Sequence, residues 1–411
     1  MGNVINIKSK VPQLRFLGFS DSWKITSIGS IAKVTSGGTP NRANSAYWGG
    51  EIPWVTTSQI NFEDIVEAEN YITLDGLANS SAKLFPEGTI LLALYGQGIT
   101  RGRVSVLNIE ATTNQACAAI LLDKERCDTR FIFYLLQSHY ENLRNLSNDG
   151  GQKNLSGGLI KQFRLAIPDL TEQRRNSIFL STIDKKISLL KQKHEQLVQY
   201  KKGIMQQLFS QQLRFKDDNG QDFPDWKSIQ LKKVLLLQSN PVDMQDNEEY
   251  ELITAKRRNG GIVSRGKYLG KEVLVKTQFK LKENQFVISK RQIVHGACGI
   301  VPKYLEGAIL SNEYNVFEGV PDVLDIHYFN LLSKTPKMKK VYFRNSDGVH
   351  IEKLLFKTQD WLKTRVKLPS LDEQKRIVSF SIELERKLDL IQQQIEQTQA
   401  YKQGLLQQMF V

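Results

Sequence analysis

Apolar residues recur at alternating steps of three and four along 180–208: Leu180, Ile183, Ile187, Leu190, His194, Leu197, Lys201, Ile204 and Leu208. This is a heptad seam, the mark of a helix that buries one narrow stripe against another helix. The same steps return in Ser381, Leu384, Leu388, Ile391, Ile395, Thr398, Lys402, Leu405 and Met409. No proline interrupts either stretch. About 38 residues of helix make a rod of ~57 Å. A rod that long has no core of its own and must pair; two matching seams, each the C-terminal arm of its own half, lead us to expect an antiparallel pair that holds two globular regions apart. His194 and Lys201 interrupt one seam, Thr398 and Lys402 the other. His194 stands where the second stretch has Ile395, so it reads as a seam residue rather than a metal ligand.

Elsewhere the period shortens. Region one, 24–166, reads as short strands at 31–35, 89–95, 103–107 and 116–122 with a helix near 128–146. Region two, 227–367, has the same outline, with a strand at 285–289. The expected class is α+β. The divisions are a first globular domain at 1–166, a helix at 167–210, a second domain at 211–367 and a helix at 368–411.

The two halves share words as well as rhythm. Segments 167–209 and 368–410 align without a gap, and 17 of 43 positions are identical. Each opens on Pro-x-Leu-x-Glu-Gln-basic-Arg, with Pro168, Leu170, Glu172 and Gln173 answered by Pro369, Leu371, Glu373 and Gln374. Each closes on Tyr-Lys-x-Gly and Gln-Gln-x-Phe. Thr171 and Asp372 are good N-cap residues, and Glu172 and Glu373 favour the positive end of the helix dipole. Upstream, Gln13-Leu14-Arg15-Phe16 and Trp23-Lys24 return as Gln212-Leu213-Arg214-Phe215 and Trp226-Lys227. The period is too long for a solenoid; it is a tandem duplication. Many identities lie one residue off the seam, at Phe179, Lys186, Leu189, Gln196, Tyr200, Gly203 and Gln207, with Tyr401, Gly404 and Gln408 in the second copy. A stripe kept in both copies is expected if each half holds the same partner there. Glycine inside a helix costs about 1 kcal/mol, so close approach of another backbone is a reason to keep Gly203 and Gly404.

Charge narrows the partner. The chain of 411 residues carries 56 Lys and Arg against 43 Asp and Glu, a net charge of +13. Such an excess most often meets a polyanion, and the usual one is nucleic acid. Three cysteines without metal-ligand spacing fit a reducing, cytoplasmic compartment. No apolar run is long enough for a membrane span, and the first residues lack a signal-peptide pattern.

Glycine frees the backbone for tight turns, and hydroxyl, amide and guanidinium groups can read base edges. Region one offers Ser36-Gly37-Gly38-Thr39-Pro40, Thr56-Thr57-Ser58-Gln59, a glycine-rich turn at 96–102 and Thr113-Asn114-Gln115. Thr39, Thr57, Ser58, Arg101, Arg103 and Asn114 are its candidate DNA contacts. Region two offers a basic segment with Arg257, Arg258, Arg265 and Lys267, then Lys290, Arg291, His295 and Asn312. The layout matches while the side chains differ, as two recognition elements on one scaffold should. No phosphate-binding loop, dinucleotide fingerprint, methyltransferase motif or histidine ligand cluster is present. The competing readings are a coiled-coil adaptor with two ligand-binding modules and an enzyme acting alone, and no motif nominates a catalytic residue.

The duplicated Leu-x-Glu-Gln-basic-Arg opening and the Tyr-Lys-x-Gly…Gln-Gln-x-Phe close resemble those of the specificity subunit of type I restriction–modification systems. So do Ser36-Gly37-Gly38-Thr39-Pro40 and Leu84-Phe85-Pro86-Glu87-Gly88. The resemblance covers essentially the whole chain. It implies two target-recognition domains held apart by an antiparallel helix pair, each reading half of a split target in double-stranded DNA. It implies two methyltransferase subunits docked on the helices, with restriction (translocase) subunits joining through them. S-adenosylmethionine, ATP and magnesium would then belong to partners, and this chain would be a non-catalytic subunit.

Overall fold

The computed structural model describes residues 11–96, 99–146, 155–348, 350 and 354–411. The fold is α+β and is built twice. The chain divides into two compact units, Met1–Gln192 with Gln392–Val411, and Lys193–Ile391. Each unit holds one globular region and a stretch of both long helices, Leu170–Ser210 and Leu371–Met409.

In the first unit a five-stranded sheet runs in the order Ala32–Ser36, Cys117–Leu122, Ile90–Ala93, Val104–Leu107, Asp64–Ile65. A four-stranded sheet runs Asn70–Ile72, Trp48–Val55, Ala111–Thr113, Leu84–Phe85. Side chains alternate across a strand, and here both faces of Ile90–Ala93 are covered. Ile90 and Leu92 enter one core, with Phe131 and Leu180. Leu91 and Ala93 enter another, with Val55 and Phe85. This double burial is why the strand reads as an unbroken apolar run.

The second unit repeats the frame. One sheet runs Leu235–Gln238, Tyr314–Gly319, Phe286–Ser289, Cys298–Ile300. The other runs Pro241–Val242, Gln278–Lys280, Ile309–Ser311, Glu249–Ala255, Ile262–Leu269. Phe286 and Ile288 face one core, Val287 the other. In both units the second sheet contains one parallel pair: Trp54 opposite Thr112, and Leu252 opposite Ile309.

The structure departs from the sequence expectation in three places. The helix expected at 128–146 is two, Thr129–Ser138 and Tyr140–Asn145, broken at His139, whose half-buried ring has a nitrogen 3.0 Å from the Val411 backbone oxygen. The basic segment of region two is a β-hairpin, Glu249–Ala255 with Ile262–Leu269, turned by Arg258 and Asn259 at φ of +59° and +58°. The long helices are not capped by Thr171 and Asp372. Asp169 Oδ1 accepts from Thr171 N and Glu172 N at 2.8 and 3.0 Å, and Ser370 Oγ accepts from Glu373 N at 3.4 Å.

The heptad seams are buried or half-buried at every position along both helices. Pairing inside each unit is antiparallel. In the first unit, Leu180, Ile183 and Ile187 share a core with Leu405, Leu406 and Met409. In the second, Met205 and Phe209 pack against the core that holds Ile377 and Val378. The lysines that interrupt the seams have partners. Lys402 reaches Asp184 at 2.6 Å in the first unit, and Lys201 reaches Glu385 at 2.6 Å in the second. Each lysine follows its own helix's carboxylate by the same number of residues, so the duplication carries the pairing in both copies.

The duplicated phrases explain how each helix is anchored. The Glu172 carboxylate is fully buried and accepts Arg15 Nε and Nη2, both at 2.7 Å, and Trp23 Nε1 at 3.3 Å. Glu373 is held alike by Arg214 at 3.1 and 2.8 Å and by Trp226 at 3.2 Å. The hydrogen bonds raise the arginine pKa values in both clamps, offsetting desolvation. The adjacent Gln173 accepts from Asp128 N at 2.9 Å and donates to the carbonyls of Arg126 and Pro168. Gln374 does the same with Asp325, Val323 and Pro369. Phe16 stacks edge-on against Phe179 at 5.5 Å, and Phe215 against Phe380 at 5.3 Å.

Removing one partner of a buried pair strands a charge and costs about 3–5 kcal/mol. Glu373→Ala should therefore lower stability in thermal unfolding by about that amount; a loss under ~1 kcal/mol would show that the clamp is dispensable.

Candidate nucleic-acid interface

Strand direction brings the nominated turns of the first unit to one end of its sheets. Trp48–Val55 and Ala111–Thr113 run parallel, so 56–59 and 114–115 leave together, joined by Asn114 N to Val55 O at 3.1 Å. Gly38 N donates to Thr113 O at 2.8 Å, and Leu94 N to Ala116 O at 2.8 Å, adding 37–40 and the turn after Ile90–Ala93. Gln97 and Gly98 of that turn lie outside the described residues.

The turns assemble largely through packing. A β-carbon on Gly37 would sit 2.0 Å from Thr113 O, and one on Gly38 2.2 Å from Ser81 Oγ. These glycines are there because neighbouring chain crowds them. Asn114 Oδ1 accepts from Ala116 N and lies 3.2 Å from Cys117 Sγ, so this side chain shapes its own turn. Thr39 Oγ1 donates to Gln115 Oε1 at 2.6 Å. Thr57 opens a short helical turn, and the exposed Ser58 meets Thr56 Oγ1 at 2.6 Å. Arg103 is half-buried over the Phe62 ring at 5.6 Å. Arg101 is also half-buried, and its Nε finds no hydrogen-bond partner among the described residues.

Beside this end lies a group that the sequence reading passed over. Arg42 is exposed, with its guanidinium over the rings of Trp48 at 5.8 Å and Trp54 at 5.6 Å. The rings meet edge to face at 5.0 Å, and Trp54 Nε1 donates to Gly38 O at 3.0 Å. Stacking holds a long side chain ready. The available signal was the Trp48, Trp54 spacing, hidden because Gly49, Gly50 and Pro53 disguise the strand.

The second unit gathers Arg257, Arg258, Lys290, Arg291, His295 and Asn312 at the equivalent sheet end, whereas Arg265 and Lys267 lie back along their strand. Arg258 N donates to His295 O at 2.7 Å and Asn259 N to Gly296 O, joining the hairpin turn to the turn after Phe286–Ser289. Lys290 Nζ donates to Asn312 O at 2.6 Å, and Arg291 pairs with Glu313 at 2.7 Å. Arg257 and Arg258 are exposed at the hairpin tip. Arg265 and Lys267 lie on strand Ile262–Leu269. Lys267 pairs with Glu249 at 3.3 Å, and Arg265 lines a cleft of about 440 Å³ with Tyr268, Glu313 and Tyr314.

On the helices the off-seam stripe is mostly exposed. Leu189, Gln196, Tyr200, Gln207, Tyr401 and Gln408 face outward, and a β-carbon on Gly203 or Gly404 meets nothing within 4 Å. Phe179 is spent on Phe16 and belongs to the anchor rather than to the stripe.

A family model, the type I restriction modification DNA specificity domain, matches residues 20–199 and again 224–400. The chain therefore belongs to that family and carries its domain twice. It is similar to the type I restriction enzyme MjaIX specificity subunit of Methanocaldococcus jannaschii, 27% identical over 53% of this chain. That match spans about half the relative's length, 52%. The MjaVIII specificity subunit of the same organism is 22% identical over 96% of this chain and 93% of its own. In fold, the chain is similar to the type I restriction–modification S subunit from M. genitalium, with a TM-score of 0.56 and 15% identity, covering 98% of this chain and 99% of that one.

No helix is long and apolar enough to cross a membrane, and no group of metal-binding side chains occurs among the described residues. Burial pushes the Cys117 thiol up to about 12 and the Cys127 and Cys298 thiols to about 11. The thiolate is the nucleophile, so at pH 8 the folded chain should resist alkylation while the unfolded chain takes up reagent at all three cysteines. Labelling of native protein as fast as of denatured protein would contradict this.

Proposed function

We propose that this chain is the DNA-specificity subunit of a type I restriction–modification complex, reading a bipartite target in duplex DNA with one unit per half-site. The observation that carries the reading is the convergence of chemically different polar and basic turns on equivalent sheet ends of two matching frames. A shared frame with unlike tips suits two unrelated half-sites. In the first unit, Arg101, Arg103, Thr39, Thr57 and Ser58 supply candidate contacts. In the second, Arg257, Arg258, Lys290, Arg291, His295 and Asn312 do so. The chain itself is non-catalytic and positions the methylating partner.

The exposed stripe on each helix is the proposed seat of a methyltransferase subunit, two in all, with restriction subunits joining through these. S-adenosylmethionine, ATP and magnesium belong to those partners, and the complex works in the cytoplasm. Gly203 and Gly404 would admit a partner backbone. Replacing either with tryptophan should weaken co-purification with the methyltransferase at least tenfold, whereas unchanged assembly would leave the stripe as shared ancestry.

Exchanging 24–166 for a relative's region should change only one half of the methylated motif in a methylome map, and a change in both halves would refute the division of labour. Within the first unit, Arg101→Ala should cost about 1–3 kcal/mol at one base pair if it grips a base. An even loss across sequences would assign it to phosphate.

A further inference from the structure

The second unit carries a concentration of positive charge that its counterpart lacks. Between 334 and 344 stand Lys334, Lys337, Lys339, Lys340 and Arg344, with no acidic residue. The helix Pro336–Arg344 is capped by Thr335, whose side chain accepts from Met338 N, and it buries Met338 and Tyr342. Lys337, Lys340 and Arg344 are exposed and fall at i, i+3 and i+7, so they share one face. None of the three forms an ion pair among the described residues. The corresponding helix of the first unit, Tyr140–Asn145, is balanced: Arg144 lies 4.0 Å from Glu141.

Packing places the basic helix at the recognition end. Met338 and Tyr342 share a core with Ile293 and Cys298, which flank the turn carrying His295. Just after the helix, Ser346–Asp347 pairs with Leu355–Phe356, and Phe356 N donates to Lys290 O at 2.9 Å. The cations are thus tied to the segment bearing Lys290 and Arg291.

We propose that the face formed by Lys337, Lys340 and Arg344 grips the phosphate backbone of duplex DNA beside the bases read by the second unit. This rests on the DNA-reading function proposed above. Uncompensated cations on a rigid helix suit phosphates, which fix register without reading sequence. Each phosphate neutralised releases counterions, giving a slope of about −0.9 in log K against log salt. The two units would then hold DNA unequally, the second contributing more of the salt-dependent affinity.

The test is binding of the full chain to a random-sequence duplex across a salt series. The triple variant K337Q/K340Q/R344Q should give a slope shallower by about 2.7, and K337Q alone one shallower by about 0.9. The double variant K282Q/K303Q, changed at the opposite end of the same sheets, should keep the wild-type slope. Wild-type slopes in the triple and single variants, with wild-type protein binding normally, would overturn the phosphate grip and leave the function standing. So would equal shifts in the control. Absence of binding by the wild-type chain would overturn both.

Discussion

A carboxylate with no solvent exposure, held by a two-pronged arginine and an indole N–H, sets the terms for the rest of each half. Glu172 sits on the first turn of a helix of 41 residues, while Arg15 and Trp23 precede the globular region. The clamp therefore closes a loop around the whole region and pins its entrance to its exit. Close by, Lys24–Ser27 pairs with Arg164–Ile167, and in the second unit Lys227–Gln230 with Arg365–Leu368. A buried ion pair is poor evidence of net stability, since desolvation consumes much of its Coulomb gain. Its value here is geometric. A fork of two N–H groups on one carboxylate tolerates few orientations, so the helix must leave its domain in one direction.

What the duplication preserved is accordingly the frame. Glu-Gln, Arg and Trp recur because they anchor the helix, and Lys201 and Lys402 recur because each completes a charge pair across the helix seam. Asp169 and Ser370 differ, yet both cap a helix with a side-chain oxygen. What diverged lies at the sheet ends. Arg42 lies over two tryptophans in the first unit, where the second has the hairpin tip with Arg257 and Arg258, and the basic helix Pro336–Arg344 answers a nearly neutral one. A constant frame with variable tips is the division of labour expected of a protein that must read two unlike sequences from one kind of platform.

Much of this was legible in the sequence, for physical reasons. Heptad spacing survives in any helix that must bury a stripe, so both long helices and their seams could be read to within a few residues. Strand Ile90–Ala93 was legible because both its faces are buried. Trp48–Val55 was not, because Gly49, Gly50 and Pro53 break its pattern. The hairpin around Arg258 and Asn259 is hidden in a basic tract because its left-handed turn uses no glycine at those positions. The glycines at 37 and 38 were legible as a turn, but their cause was not. Crowding by Thr113 and Ser81 comes from segments distant in sequence. Locally Glu172 is only a dipole partner, since nothing near it in sequence reveals that Arg15 pairs with it across 157 residues.

The central claim is that both units meet DNA through equivalent sheet ends. Hydrogen–deuterium exchange of the full chain, with and without a duplex carrying the host's methylated motif, addresses it directly. The account predicts slowed exchange in 37–42, 56–59, 99–103 and 113–116, and also in 256–261, 290–297 and 312–314. The opposite ends, 86–89 and 301–307, should exchange unchanged. Protection confined to one unit, or falling on the opposite ends, would contradict it.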